Sequence, residues 1–144
     1  MRIRFWIPAL IWMGVVFLLS TDLFSATETA SIVEGILRWL FPFLSPIRVR
    51  EIHFGIRKAA HVSVYAALSL FYVMALTASF RLKPRLSART AALALFMATL
   101  YACTDEWHQS FSRLRTASPI DVLYDSAGAV AMLGFLSLKS RFRA

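Results

Sequence analysis

Residues 58–80 read KAAHVSVYAALSLFYVMALTASF, and after the opening lysine the run carries no formal charge while its histidine is neutral. A helix rises 1.5 Å per residue, so about 20 such residues cover the ~30 Å of hydrocarbon in a bilayer. The stretch is therefore a membrane-spanning helix by length and composition. Lys58, His61 and Tyr65 stand near its start at i, i+3 and i+7, which puts them on one helical face. An ionisable group at the middle of a span costs roughly 2.5–3.5 kcal/mol on insertion scales. A histidine a turn inside therefore faces a partner or a wet cavity.

The rest of the chain repeats the pattern. Of its 144 residues 58% are hydrophobic and only 17% charged, and the mean hydropathy is +0.62. Soluble domains carry about a quarter charged residues, so an ordinary soluble domain is excluded, as is a disordered chain. The single cysteine excludes a disulfide scaffold, and Cys103, set in an apolar run, is expected to be a buried free thiol.

Three further apolar stretches cover residues 5–20, 90–103 and a little beyond, and 120–138. The first follows Arg2 and Arg4, but no small-x-small cleavage pattern comes after it: Ala26 has Phe24 two positions before it and Ala30 has Glu28. It reads as an uncleaved anchor. The span beginning at Thr90 crosses only if Asp105 and Glu106 lie at its end or face the protein interior.

Residues 31–44 place Ile32, Ile36, Trp39, Leu40 and Phe43 at three- and four-residue steps, with Glu34 and Arg38 as an i,i+4 pair on the opposite side. About 14 residues give ~21 Å of helix, too short to cross. An interfacial amphipathic helix ending near Pro42 is expected. The fold class is thus all-α: one domain over residues 1–144, a polytopic membrane protein built as a four-transmembrane-helix bundle, with a short interfacial helix between spans one and two.

Charge gives the orientation. One side carries Arg2, Arg4, Arg81, Lys83, Arg85, Arg89, Lys139, Arg141 and Arg143 and no acid. The other carries Arg38, Arg48, Arg50, Arg57, Lys58, Arg113 and Arg115 together with all 8 Asp and Glu. Basic loops stay cytoplasmic, so both termini are expected inside a bacterial inner or plasma membrane. The formal charge of +8 then reflects topology and attraction to anionic lipid, and no nucleic-acid motif accompanies it.

Polar groups that need explaining cluster at the outer ends of spans two to four. Beside Lys58, His61 and Tyr65 stand Asp105 and Gln109 at i, i+4, with Tyr101 one turn earlier and Glu106 adjacent; Arg113 and Arg115 follow. Span four opens Ser118-Pro119-Ile120-Asp121, an N-cap serine, proline at the first helical position and an acid three residues on, an S-x-x-D capping box. Asp121 and Asp125 share a face, with Gly128 a turn deeper. Lys58, His61, Arg113 and Arg115 suit an anionic headgroup or phosphate, arginine supplying a bidentate fork. Asp105, Glu106 and Asp121 hold those cations in register or ligate a hard metal. No H-E-x-x-H or G-x-S-x-G signature is present, and neither a metal nor another cofactor is expected.

These motifs resemble those of the VanZ-like membrane proteins. Lys58-Ala-Ala-His61-Val-Ser-Val-Tyr65 is similar to that family's K-x-x-H-x-x-x-Y, and Asp105-Glu106-Trp107-His108-Gln109-Ser110-Phe111 to its D-E-x-x-Q-x-F. Arg115-Thr116-Ala117-Ser118, then Asp121-Val122, Asp125 and Gly128, resembles its R-x-x-S-x-x-D-V stretch and terminal glycine. Two departures stand out: Leu114, preceded by Arg113, where the family has a small turn-former, and Asp125 where it often has Asn, a charge that makes Asp125 a better partner for Lys58 or Arg115 than an amide would be. The resemblance implies an envelope membrane protein associated with teicoplanin (glycopeptide) resistance by a route other than rebuilding the peptidoglycan stem peptide.

The expected ligand is an anionic lipid or lipid-linked cell-wall intermediate at the outer leaflet. Lys58, His61, Tyr65, Asp105, Glu106, Gln109, Arg115, Asp121 and Asp125 would form its site. The alternative is an intramembrane hydrolase or transferase acting on a lipid phosphate, with His61, Glu106 or Asp105 as acid–base candidates. A third reading has the polar groups fix helix register and nothing more. Glycine and alanine on spans two and four permit close helix contact, within one chain or in a homo-oligomer.

Overall fold

The computed structural model describes residues 3–22, 25–80, 86–112 and 117–141. A 3-10 turn, Ile3–Trp6, leads into α1 (Ile7–Leu19), followed by α2 (Ala26–Leu40), α3 (Pro46–Ser79), α4 (Ala88–Gln109) and α5 (Pro119–Arg141). The described residues contain helices and no strand, as the apolar periodicity requires.

The helices start where the local chemistry dictates. Pro46 opens α3 and the Ser45 side chain accepts the Arg48 N–H; Ser87 accepts the Thr90 N–H at the head of α4. Pro119 opens α5, as its Ser-Pro start predicts. Two boundaries differ from expectation. Helix α2 begins at Ala26 and stops at Leu40, ahead of Pro42, so the amphipathic segment sits earlier than residues 31–44. Helix α3 starts more than three turns before Ala59 and runs 34 residues, about 51 Å. The charged segment before Lys58 is helix because nothing breaks it: Arg48, Arg50 and Glu51 project outward, and Arg48 pairs with Glu51 at 2.8 Å.

By length and composition two helices, α3 and α5, can each cross a membrane; the apolar 3–19 segment is shorter. In α4, Asp105 and Glu106 lie in the final turns and both are buried.

Helix α3 is the central element and touches α1, α2, α4 and α5. Its Tyr65, Leu68, Tyr72 and Leu76 form one buried stripe, packed with Ala94, Ala98 and Ala102 of α4 and Ala129 and Leu133 of α5. Large side chains on one helix against small ones on the next bring backbones close. The tightest point is Gly128, where an added Cβ would lie 2.1 Å from the Val62 carbonyl oxygen. Helix α1 is tied on by Trp12 Nε1, which donates to Val64 O at 2.9 Å, and by Tyr101 OH, which donates to Met13 O at 2.7 Å. Trp6 Nε1 donates to Ser79 Oγ at 3.0 Å.

These pairings fix direction. Lys58–Asp121, His61–Asp125 and Val62–Gly128 advance together, so α3 and α5 are parallel. Trp6 meets Ser79 whereas Trp12 meets Val64, so α1 is antiparallel to α3. Thr99–Ser126 and Glu106–Ser118 make α4 antiparallel to α5. The start of α1 and the end of α5 therefore share one end of the bundle.

The outside is apolar. Ile7, Leu10 and Ile11 of α1, Leu93, Phe96 and Leu100 of α4, and Leu123, Val130, Phe135 and Leu138 of α5 are all exposed. Soluble monomers seldom expose contiguous apolar patches on this scale. A surface like this suits hydrocarbon, and the protein is membrane-associated. Cys103 is exposed, against the expected buried thiol. The inward stripe of α4 is Ala94, Ala98 and Ala102, and Cys103, one residue on, is rotated away from it to the face of Phe96 and Leu100.

Candidate functional site

At the end opposite the α1 start, the polar side chains of α3, α4 and α5 converge. Two cross-helix pairs close the seam between α3 and α5. Lys58 bonds the Asp121 carboxylate, with its ammonium 5.2 Å from the Phe54 ring centre and 5.0 Å from that of Tyr124. One turn deeper, His61 Nδ1 lies 3.0 Å from Asp125 Oδ1, and Asp125 is 0% exposed. The expected partner of Asp125 was Lys58 or Arg115. The parallel register set at Gly128 gives Asp125 to His61 and Asp121 to Lys58.

The capping box at Ser118 is also built differently. Glu106 Oε2, from α4, accepts the Ser118 N–H at 2.7 Å. Asp121, expected to reach back to that N–H, turns to Lys58 instead. An orphan donor at the head of α5 is thus satisfied by the neighbouring helix, and α4 is linked to α5 through it. Glu106 Oε1 has no hydrogen-bond partner among the described residues.

The other side of α3 faces a cavity of about 230 Å³ between α1, α2, α3 and α4. This is smaller than the roughly 300–1,000 Å³ of a pocket for a drug-sized ligand, so it fits a headgroup or a short length of chain. Val16, Leu19, Val33, Ile56 and Val64 form its aliphatic walls. Its polar surface comes from a stripe on α3, His53, Arg57, His61 and Tyr65, repeating every fourth residue. Asp105 and Gln109 of α4 face it, and Gln109 Nε2 donates to Asp105 Oδ2 at 3.1 Å.

Thr29 of α2 closes the cavity. Its hydroxyl donates to Ser25 O at 2.8 Å, which leaves its lone pairs for Arg57 Nη1 at 3.3 Å and His53 Nε2 at 3.3 Å. Two buried hydroxyls lining the cavity, Ser20 Oγ and Tyr65 OH, have no partner among the described residues.

The expected residues therefore divide. His61, Tyr65, Asp105 and Gln109 line the cavity; Lys58, Asp121 and Asp125 hold the α3–α5 seam; Glu106 caps α5. His61 belongs to both sets, with Nδ1 on Asp125 and the ring on the cavity. Arg113 and Arg115 lie outside the described residues. Ser20, Thr29, His53 and Arg57 join the site without having been expected. The every-fourth-residue repeat from His53 to Tyr65 is the signal that would have found two of them. Among the described residues no group of three or more His, Cys, Asp or Glu is placed to hold a metal ion.

No curated protein and no solved structure matches the chain. The model of the VanZ/LLP1 family matches residues 5–140. A match over nearly the full length, with the polar motifs gathered at one end of the bundle, settles the family: the chain belongs to VanZ/LLP1.

Proposed function

We propose that the protein is a four-span integral membrane protein that binds the phosphate-bearing, anionic head of a membrane lipid or lipid-linked cell-wall intermediate at the outer leaflet. In this reading α1 with its leading turn, α3, α4 and α5 cross the bilayer. The end bearing Arg4, Arg89 and Lys139 faces the cytoplasm, following the bias of basic residues. Helix α2 lies in the outer interface with Ile32, Ile36, Trp39 and Leu40 turned to lipid, as their exposure suits.

The observation that carries the reading is the cavity itself. Aliphatic walls adjoin a stripe of Arg57, His53 and His61, and Ser20 and Tyr65 offer hydroxyls with no partner among the described residues. A guanidinium presents a planar fork of N–H donors that fits a phosphate, and the Arg57 donation to Thr29 holds it at the cavity. The resistance association implied by the family resemblance fits a protein that engages lipid-linked wall material. A hydrolytic role for Glu106 draws no support from this geometry, in which Oε2 is committed to Ser118.

The test is a titration of the purified full chain with polyprenyl phosphate and with a neutral polyprenol. Saturable binding of the phosphate alone is expected, weakened about tenfold by Arg57→Gln, the loss of a charged hydrogen bond. Arg115→Ala is expected to weaken it as well. Equal binding of phosphate and alcohol, or no effect of Arg57→Gln, would overturn the proposal.

A further inference from the structure

The two walls of the cavity carry opposite chemistry. On α3, Arg57 presents a cationic guanidinium; on α4, the buried Asp105 presents a carboxylate, with Oδ2 already accepting from Gln109. A phosphate with no amine beside it would lie close to that carboxylate in so small a space and bind more weakly for it, because like charges repel where water is scarce. From this we infer that the head bound here carries a protonated amine in addition to its phosphate, and that Asp105 reads the amine. The inference rests on the lipid-head reading above and names the class of head.

A second observation points the same way. Ser20 Oγ and Tyr65 OH line the cavity at 4% and 1% exposure of their residues and have no partner among the described residues. Leaving a buried hydroxyl unpaired costs about 1–3 kcal/mol. An alkylammonium has three N–H donors and no acceptor. Asp105, Ser20 and Tyr65 supply acceptors for all three, whereas a phosphate offers no donor to the carboxylate.

The spacing fits as well. Helices α3 and α4 are antiparallel, and the Tyr65 and Tyr101 rings meet at 6.4 Å between centres. Asp105, one turn after Tyr101, therefore stands level with His61, one turn before Tyr65. Arg57 lies one further turn out, about 6 Å along the axis. A phosphate at Arg57 and an amine at Asp105 are bridged by a two-carbon linker. That chemistry occurs in an ethanolamine phospholipid; an amine-bearing lipid-linked intermediate presents the same pair of groups.

The test uses the full chain in detergent and compares phosphatidylethanolamine with its N-acetyl derivative, which keeps the phosphate and loses the ammonium. Wild type is expected to bind the free amine about tenfold more tightly, the worth of one charged hydrogen bond. Asp105→Asn is expected to bring that ratio near one while leaving affinity for the N-acetyl lipid in place. A polyprenyl phosphate bearing an amino sugar, set against one bearing the N-acetylated sugar, distinguishes the two sources. The lipid comparison in wild type does not depend on the variant folding. Equal or tighter binding of the N-acetyl lipid, still weakened by Arg57→Gln, would overturn the amine inference and leave the phosphate reading standing. Absence of saturable binding by any of these probes would overturn both.

Discussion

The two sides of α3 at the polar end of the bundle are built from the same residue types and arranged differently. Toward α5 the polar groups are closed into pairs, Lys58 with Asp121 and His61 with Asp125, at a crossing so tight that Gly128 has no room for a Cβ. Toward α1, α2 and α4 the groups are spread around a cavity, and Ser20 and Tyr65 have hydroxyls without partners among the described residues. Asp125 Oδ2 also has no partner among the described residues, but it is sealed in the seam at 0% exposure, whereas the two hydroxyls line a cavity that a ligand can enter. That contrast is why we propose structure for the first side and binding for the second.

The largest expected effect breaks the closed side. Gly128→Val places its side chain against the Val62 carbonyl and must push α3 and α5 apart, at a cost of about 3 kcal/mol. Thermal unfolding in detergent should show a large drop in midpoint, and the bound lipid should be lost with the fold. Next comes Asp125→Ala, which removes the hydrogen-bond partner of His61 among the described residues and is expected to cost about 2 kcal/mol. Asp125→Asn keeps an acceptor for His61 and should cost less than half of that; equal losses for the two variants would contradict the pairing. On the open side the order reverses. Arg57→Gln is expected to leave the unfolding midpoint near wild type while lipid affinity falls about tenfold. A variant that loses stability and affinity in proportion would place Arg57 with the closed pairs.

Smaller effects probe the edges of the comparison. Trp12→Phe removes the donation to Val64 O that holds α1 on the cavity, at about 1 kcal/mol; faster proteolysis near the α1 end is the readout. Cys103→Ser should be neutral within about 0.5 kcal/mol, because the side chain lies on the outer face of α4. The native thiol should react with an apolar maleimide dissolved in the bilayer and resist a membrane-impermeant one.

Much of this was legible in the sequence. The apolar runs gave the helices, Ser-Pro gave the start of α5, and the spacing of Lys58, His61 and Tyr65 with Asp105 and Gln109 marked the polar end. What stayed hidden has physical reasons. A hydropathy window stops where charges begin, so it starts the span at the end of the charged segment and does not reach His53 and Arg57, although their four-residue spacing continues the stripe. Periodicity places residues on a face and says nothing about which neighbour that face meets. The exchange of partners among Lys58, Asp121, His61 and Asp125 depends on a register set by the Gly128–Val62 contact. The Glu106–Ser118 cap joins residues on separate helices, where a box local to α5 was expected, and Cys103 lies one residue off a stripe that only packing reveals.

The central claim, that the cavity and not the outer surface holds the lipid head, is tested most directly by locating the head. A phospholipid carrying a photoreactive diazirine in its headgroup is incorporated with the full chain into nanodiscs, irradiated, and the adducts mapped by peptide mass spectrometry. The account predicts adducts concentrated on the cavity lining, at Leu19, Val33 and the α3 residues from His53 to Tyr65, and competed away by unlabelled phosphatidylethanolamine. Adducts confined to outward-facing residues such as Trp107 and Leu123, with no such competition, would contradict it.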